Sequence, residues 1–485
     1  MLNHKNNLDI INQLEDTIDL SKITYCGINV WPIVKLAIYQ ERHDSYQIPK
    51  KPFGTLFFLI KKILIKLLNV NTKLTRKDII FLSRQENYSV RKVGRYFDKH
   101  IDPLIENNTG LISNIKIELF SSSSKILKKA LRPHYLLGIN EVNDAISIVC
   151  SIDHKLLTEL NKVSSEYFKL TRRKLSVDWI IYYVYTTKQY SDYFGSLLED
   201  VKPRLAFLTC YYSPMNMGFV NACKRFGVRV VDIQHGQQGI YHPMYNNWTV
   251  KTEKWNDLVP DKLWVWDKSE SDISQLNSSK YKYIERIDGG NQFISTYLSN
   301  RIKFDNDSCS EYFEKKNNQY SKTILIVCSN VTNIYDLVHD NVIELMQEKS
   351  DWYWLVRLHP NSPSSYSSKL SDHLNKLGAI NVDIMKHNQC NFITAIISVD
   401  AMISNNSSAL IEGLEIKLCR IITHEYGKIL YQNYINSESL HYAGSSNDIR
   451  KLINSCKNSY SNEYNNLISS NKTKYQAAMY LLMHN

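Results

Sequence analysis

Four short polar clusters follow apolar runs in this chain, and their residue types suit acid–base and phosphate chemistry. The first is Asp232-Ile-Gln234-His235-Gly236, at the end of the β-branched run 228–233. A carboxylate and an imidazole three residues apart can divide a proton transfer, and glycine lets backbone approach a ligand. The same residues equally suit a plain turn at Gly236 and Gly239, with His235 bonded to a neighbouring loop. The second cluster is Ser329-Asn330. In the third, Arg357-Leu-His359-Pro360, positions i and i+2 of a strand share a face, so guanidinium and imidazole can meet one ligand. The alternative is an ion-paired arginine and a loop-bound histidine. The fourth is Ser404-Asn-Asn-Ser407-Ser408, ahead of a helical pattern over 409–416. A helix N-terminus with hydroxyls can hold a phosphate, and simple N-capping by Ser407 or Ser408 uses the same geometry. Glu412, one turn on, suits ribose hydroxyls or stands as an exposed helix carboxylate.

These clusters need strands to carry them. Apolar runs bounded by turn residues predict strands at 77–82, within 111–119, and at 204–210, 229–233, 262–266 and 281–287. A second series lies at 323–328, 352–358, 380–384, 401–404 and 418–423. Helical patterns alternate with them at 94–106, 155–200, 216–226, 267–276, 335–349, 367–377, 391–399 and 409–416. Gly227 sits where a helix C′ glycine belongs. Alternation of this kind predicts an α/β chain with two Rossmann-like parallel sheets, whose ligands bind outside the carboxyl ends of the strands. The expected organisation is an N-terminal helical segment, 1–75, then a first Rossmann-like domain, 76–300. A polar linker, 301–320, a second such domain, 321–456, and a C-terminal helix, 457–485, follow. Asp98, His100 and Asp102 could reach a cleft, but a solvated helix face is the expectation. The tyrosine-rich stretch 179–194 is expected to pack in the core.

With 485 residues the chain can bury more than one core, and basic residues exceed acidic ones by 11. That surplus suits phosphate-bearing ligands or an anionic membrane surface. The helix expected at 53–68 carries Lys61, Lys62 and Lys66 on an otherwise apolar run, which suits a membrane interface or a core-packing role. Nine cysteines without a Cys-x-x-Cys pair predict reduced thiols in a cytoplasmic protein. No signal peptide is expected from the polar stretch 1–10, and no run is apolar enough to span a bilayer. Phosphate-loop signatures of ATPases and dinucleotide enzymes are missing, as are metal-spaced His or Asp pairs, so neither a metal nor a bound cofactor is expected. A nucleic-acid partner is not expected either.

The ordered set Gln234-His235-Gly236, Arg357-Leu-His359-Pro360 and Ser404–Ser408 with Glu412 resembles bacterial capsule and lipopolysaccharide glycosyltransferases of GT-B architecture. Kdo transferases and bacterial sialyltransferases are nearest in pattern. The resemblance covers roughly residues 200–425. It implies two Rossmann-like domains facing a central cleft, a metal-independent transfer, and a nucleotide-sugar co-substrate, a CMP-sugar such as CMP-Kdo first. By position, His359 and Pro360 would lie against the nucleotide, with Arg357 and Asn330 beside them. Ser407 and Ser408 would hold its phosphate, and Glu412 its ribose. Asp232 would be the base or nucleophile, and His235 would serve the leaving group or acceptor. The implied acceptor is a lipid-linked glycan of a capsule or O-antigen, met at the inner face of the cytoplasmic membrane. CDP-glycerol phosphotransferases, UDP-sugar enzymes and 2-epimerases share the scaffold, and a non-catalytic assembly protein would keep it.

Overall fold

The computed structural model of the chain describes residues 4–42, 74–84, 90–92, 94–108, 112–120, 135–138, 153–249, 255–267, 281–299, 309–329, 333–385, 390–455 and 464–484. The basic helix expected at 53–68, most of the helix expected at 267–276, and Asn330 lie outside these residues. Contacts divide the chain into two units. Unit 1 holds Met1–Tyr88, Asp98–Asp288 and Ala478–Asn485; unit 2 holds Ser89–Phe97 and Gly289–Ala477. The boundary therefore falls at residue 288 rather than 300. Part of the expected linker is a helix, Cys309–Gln319, anchored by buried Cys309 and Phe313.

Unit 1 opens with α1 (His4–Thr17) and α2 (Trp31–Tyr39), then β1 (Ile79–Arg84), α3 (Asp102–Asn107), β2 (Asn114–Phe120) and β3 (Tyr135–Gly138). Next come α4 (His154–Thr171), α5 (Val177–Val201), β4 (Leu205–Thr209), α6 (Pro214–Arg225), β5 (Arg229–Ile233), β6 (Lys262–Val265) and β7 (Glu285–Asp288). Its seven strands are all parallel, in the order β7-β6-β5-β4-β1-β2-β3. The chain winds outward from β1 through β3, returns beside β1 as β4, and winds the other way. The crevice outside the carboxyl ends of β1 and β4 is thus the topological switch point, where such sheets take ligands.

The N-terminal segment is no appendage. α2 is apolar nearly all round, and Trp31–Ile38 are buried in one cluster with α5, α6 and the β5 face. Full burial of Ile33, Val34, Leu36 and Ile38 stabilises by about 1.5–3 kcal/mol each. The tyrosine-rich α5 packs in the core as its pattern predicts, burying Trp179, Tyr190 and Phe194. Its crossing with α6 is close because position 218 is glycine: a Cβ there would lie 2.4 Å from Tyr190 Cβ and 2.7 Å from the Thr187 carbonyl. A Schellman turn ends α6. Gly227, at φ +68°, donates to the Lys224 carbonyl, and Val228 N donates to the Cys223 carbonyl at 2.8 Å.

Within unit 2 lie α7 (Gln292–Leu298), α8 (Cys309–Gln319), β8 (Lys322–Val327), α9 (Asp340–Glu348), β9 (Trp352–Arg357), α10 (Tyr366–Lys376) and β10 (Val382–Met385). They are followed by α11 (Phe392–Ile397), β11 (Ala401–Ser404), β12 (Cys419–Ile422), α12 (Glu425–Leu430) and β13 (His441–Tyr442). All strands run parallel in the order β10-β9-β8-β11-β12-β13. The switch point here lies between β8 and β11. A core of Ile324, Ile326, Trp354, Val356, Ile403 and Ile421 covers one sheet face.

Three expected elements take another form. The helix expected at 94–106 is a strand, Arg95–Phe97, paired with Val90–Lys92, followed by the short α3. The helix expected at 335–349 starts at Asp340, after a 3₁₀ turn. The helix expected at 409–416 is a single 3₁₀ turn, Ser408–Leu410. Gly413 adopts φ +86°, and the buried Arg420 guanidinium draws the carbonyls of Gly413, Ile416 and Leu418 to itself.

Candidate functional site

In unit 1 the candidate groups lie at the carboxyl ends of β1, β4, β5 and β6. Asp232 is fully buried on β5, on the same face as the core residue Val230. Its Oδ2 accepts the Tyr245 hydroxyl at 2.8 Å and the Tyr211 amide at 3.2 Å, whereas Oδ1 has no hydrogen-bond partner among the described residues. Burial raises its pKa to about 6, against the opposing pull of His235, Tyr245 and the backbone of Tyr211 and Cys210. Tyr211 and Tyr245 are themselves held well above 10, chiefly by burial, so they stay protonated as donors. Cys210, which aims the Tyr211 amide, sits at φ +57°. A left-handed non-glycine residue costs about 1–3 kcal/mol and marks a place where tertiary structure dictates the backbone.

His235 is half-buried beside Asp232. Its Nδ1 lies 3.2 Å from the Ile233 carbonyl and 3.1 Å from the Gln238 side-chain amide. A carbonyl needs a proton on Nδ1 and an amide NH2 needs its lone pair, so the two contacts belong to different tautomers. Burial depresses the imidazole pKa in spite of Asp232, so the ring is neutral at neutral pH. Gln234, whose backbone is expected to line the cleft, uses its side chain as a brace. Its Oε1 accepts Trp266 N at 2.8 Å, and its Nε2 donates to the Gly236 carbonyl at 3.2 Å. That ties the turn to β6 and leaves Gly236 at the half-buried tip.

The residues missed by sequence reasoning are aromatic. Tyr39, Tyr212, His242 and Tyr245 pack ring to ring around His235 and Asp232, with centroid distances of 4.8–6.4 Å. Tyr39 comes from α2, and its hydroxyl lies 3.2 Å from His242 Nε2. One turn earlier, buried Lys35 donates to the carbonyls of Asn246 and Asn247 and lies 3.9 Å from the Trp248 ring centre. Arg286 secures the other side of this loop through the Gln238 carbonyl and Asn246 Oδ1. The only sequence signal for the cage was the pair Tyr211-Tyr212 directly after a strand.

Asp98, His100 and Asp102, expected on a solvated face, are buried. Lys116 on β2 explains why: its ammonium lies 2.7 Å from Asp102 and 3.0 Å from Glu118, all in the interior. Buried carboxylates need such a partner.

In unit 2 the switch point brings together Ser329, after β8, and Asn406, after β11, whose side chains are hydrogen-bonded. Ser404 Oγ donates to the Val327 carbonyl at 2.7 Å and accepts Ser407 N at 3.0 Å, which fixes the turn. Ser407 is a cap: its Oγ accepts Ala409 N at 3.3 Å. Ser408 is half-buried, with its hydroxyl uncommitted among the described residues. Arg357 donates to the Cys390 carbonyl at 3.0 Å, stacks 5.7 Å from Phe392, and interacts electrostatically with Glu412. His359 Nδ1 accepts Asn361 N at 3.1 Å, which puts the ring proton on Nε2; Pro360 beside it is exposed. Gly427 closes behind the turn, where a Cβ would lie 2.2 Å from the Asn405 carbonyl. Because 409–416 is not an α-helix, no helix dipole acts here. Any anion would be held by Arg357 and hydroxyls.

Among the described residues no His, Cys, Asp and Glu group has metal-holding geometry, and no helix is long and apolar enough to cross a membrane. No family model and no curated protein matches the chain. Solved structures of similar form include UDP-GlcNAc 2-epimerase from Methanocaldococcus jannaschii, at TM-score 0.47 and 12% identity over 83% of this chain and 98% of that one. S. aureus MnaA with UDP gives TM-score 0.49 and 13% identity over 84% and 97% of the two chains. The glycotransferase of kitacinnamycin gives 0.44 and 10% over 84% and 97%. These are likenesses of overall form at low identity.

Proposed function

We propose that the chain is a nucleotide-sugar enzyme of GT-B type, in which unit 2 takes the nucleotide and unit 1 supplies the proton chemistry. The observation that carries the reading is Asp232. A structural carboxylate would have both oxygens bonded; this one is fully buried with Oδ1 unpartnered and a pKa of about 6. Such a group is poised as a general base near neutral pH. The Ser408 hydroxyl, with Arg357, supplies donors for a diphosphate, and Glu412 suits ribose hydroxyls.

Two reactions use this equipment: transfer of the sugar to a hydroxyl acceptor, and proton abstraction leading to epimerisation of the sugar itself. The ligand class tested first is a UDP-sugar: UDP-GlcNAc names the M. jannaschii enzyme, and UDP is the ligand of the S. aureus protein. A CMP-sugar is the competing donor. A lipid-linked glycan acceptor and an anionic membrane surface belong to the transfer form of the proposal.

The test is a thermal-shift panel of UDP, CMP and GDP, followed by product analysis with UDP-GlcNAc in the presence and absence of an acceptor. A nucleotide at 100 times its dissociation constant adds about 2.7 kcal/mol of stability. UDP should shift the melt, and Arg357→Ala should weaken its binding about 10- to 100-fold through loss of a charge-assisted contact. A shift with CMP alone would move the donor to the CMP-sugar class, and no shift with any nucleotide would end the proposal.

A further inference from the structure

We propose that His100 is a substrate-contacting residue of unit 1, a second imidazole beside His235 that hydrogen-bonds a hydroxyl of the glycosyl group. The inference rests on the nucleotide-sugar reading above. Three observations carry it.

The first is how firmly the loop before α3 is held. Asp98 Oδ1 accepts the amides of His100 and Ile101 at 2.9 and 3.1 Å, and Asp102 Oδ2 accepts the Asp98 amide at 2.8 Å. Ser83, near the carboxyl end of β1, lies 2.5 Å from Asp98 Oδ2 and 3.2 Å from Glu118 Oε1. Lys116 joins Asp102 to Glu118. A hydroxyl has one proton to give, so one of the two Ser83 contacts needs a proton from a carboxyl. That agrees with Glu118, which burial pushes up to about 8. Ser83, Asp98, Asp102, Lys116 and Glu118 are all buried, five polar side chains spent on fixing one loop.

The second is what the loop presents. The His100 ring lies parallel to Trp266, at 6.4 Å between centroids and 6° between planes, and is only 9% exposed. Neither ring nitrogen has a hydrogen-bond partner among the described residues. A polar group buried to that degree ordinarily finds one.

The third is its place. β1 flanks the switch point, and Trp266 directly follows β6, so the ring stands at the carboxyl edge of the sheet together with His235, with which it interacts electrostatically. Burial, Lys99 and His235 keep the imidazole neutral at neutral pH. It therefore offers one donor and one acceptor, the pair that a sugar hydroxyl needs. Asp98, which touches the loop and not the ligand, is a positioning residue.

The experiment is histidine-selective NMR of the full-length wild-type chain, with UDP and then UDP-GlcNAc, the His100 signal being assigned from His100→Gln. UDP alone should leave the His100 imidazole signal in place, and UDP-GlcNAc should move it. In turnover, His100→Gln should lower kcat/KM for UDP-GlcNAc about tenfold, mainly through KM, as loss of one hydrogen bond to the bound substrate does. Asp98→Asn should give an intermediate loss that leaves the NMR response to UDP-GlcNAc smaller but present. UDP that binds, with a His100 signal unmoved by UDP-GlcNAc, overturns the assignment alone. Failure of both ligands to bind overturns the nucleotide-sugar reading and this inference with it.

Discussion

Asp232→Asn separates stability from chemistry at one atom pair. Asparagine keeps an oxygen for the Tyr211 amide and the Tyr245 hydroxyl, and sets its NH2 where Oδ1 has no partner. Only the charge and one pair of hydrogens change. Moving a carboxyl from its ordinary 3.8 to about 6 corresponds to about 3 kcal/mol, at about 1.36 kcal/mol per tenfold change in proton affinity. The folded form holds this proton more tightly than the unfolded chain. The wild type therefore bears the full cost above pH 6, loses it as pH falls through 6 toward 3.8, and bears none below. By linkage, the advantage of the asparagine variant should be about 1.5 kcal/mol larger at pH 8 than at pH 5. An unsatisfied amide costs about 1–3 kcal/mol, but equally at both pH values. Melting curves of both proteins at the two pH values read the difference directly, as a relative shift of about 1–3 °C. The same variant should lose about 10²–10⁴-fold in kcat if Asp232 is the base. A pH-independent gap between the two melts, or one larger at pH 5, would refute the electrostatic account. Full activity in the variant would refute the catalytic one.

Wild-type kcat/KM should rise with pH through about 6 as Asp232 ionises; a flat profile from pH 5 to 8 would assign the base elsewhere. Gly427→Ala drives a Cβ against the Asn405 carbonyl and should weaken UDP binding at least tenfold by displacing the 404–408 turn, measured by calorimetry. Gly218→Ala separates α5 from α6 and should cost about 1–3 kcal/mol of stability, with UDP affinity unchanged in the folded fraction. Arg420→Met takes the guanidinium from the carbonyls of Ile416 and Leu418 and leaves that of Gly413 to Ile416 N alone, and should destabilise by about 1–3 kcal/mol, seen as a lower melting temperature.

Much of this protein was legible in local pattern. Apolar runs that end in polar clusters predicted two parallel sheets and placed Asp232 and Ser404–Ser408 at strand ends, because strand and helix periods are written residue by residue. The packing of the tyrosine-rich α5 and the glycine that ends α6 followed from the same kind of signal. Partners distant in sequence were not legible. Asp98, His100 and Asp102 read as surface residues until Lys116 and Ser83 supplied the partners that make their burial tolerable. The brace between the Gln234 side chain and Trp266 N spans thirty-two residues and left no local signal. The helix expected after Ser408 stops at one 3₁₀ turn, with Gly413 left-handed behind it. The aromatic ring around His235 gathers Tyr39, Tyr212 and Tyr245 from three separate elements, and no spacing rule announces that. Periodicity settles what each segment becomes. Which charges are buried, and what each one touches, depends on side chains that only the folded chain brings within a few ångströms, where desolvation and hydrogen bonding decide the outcome.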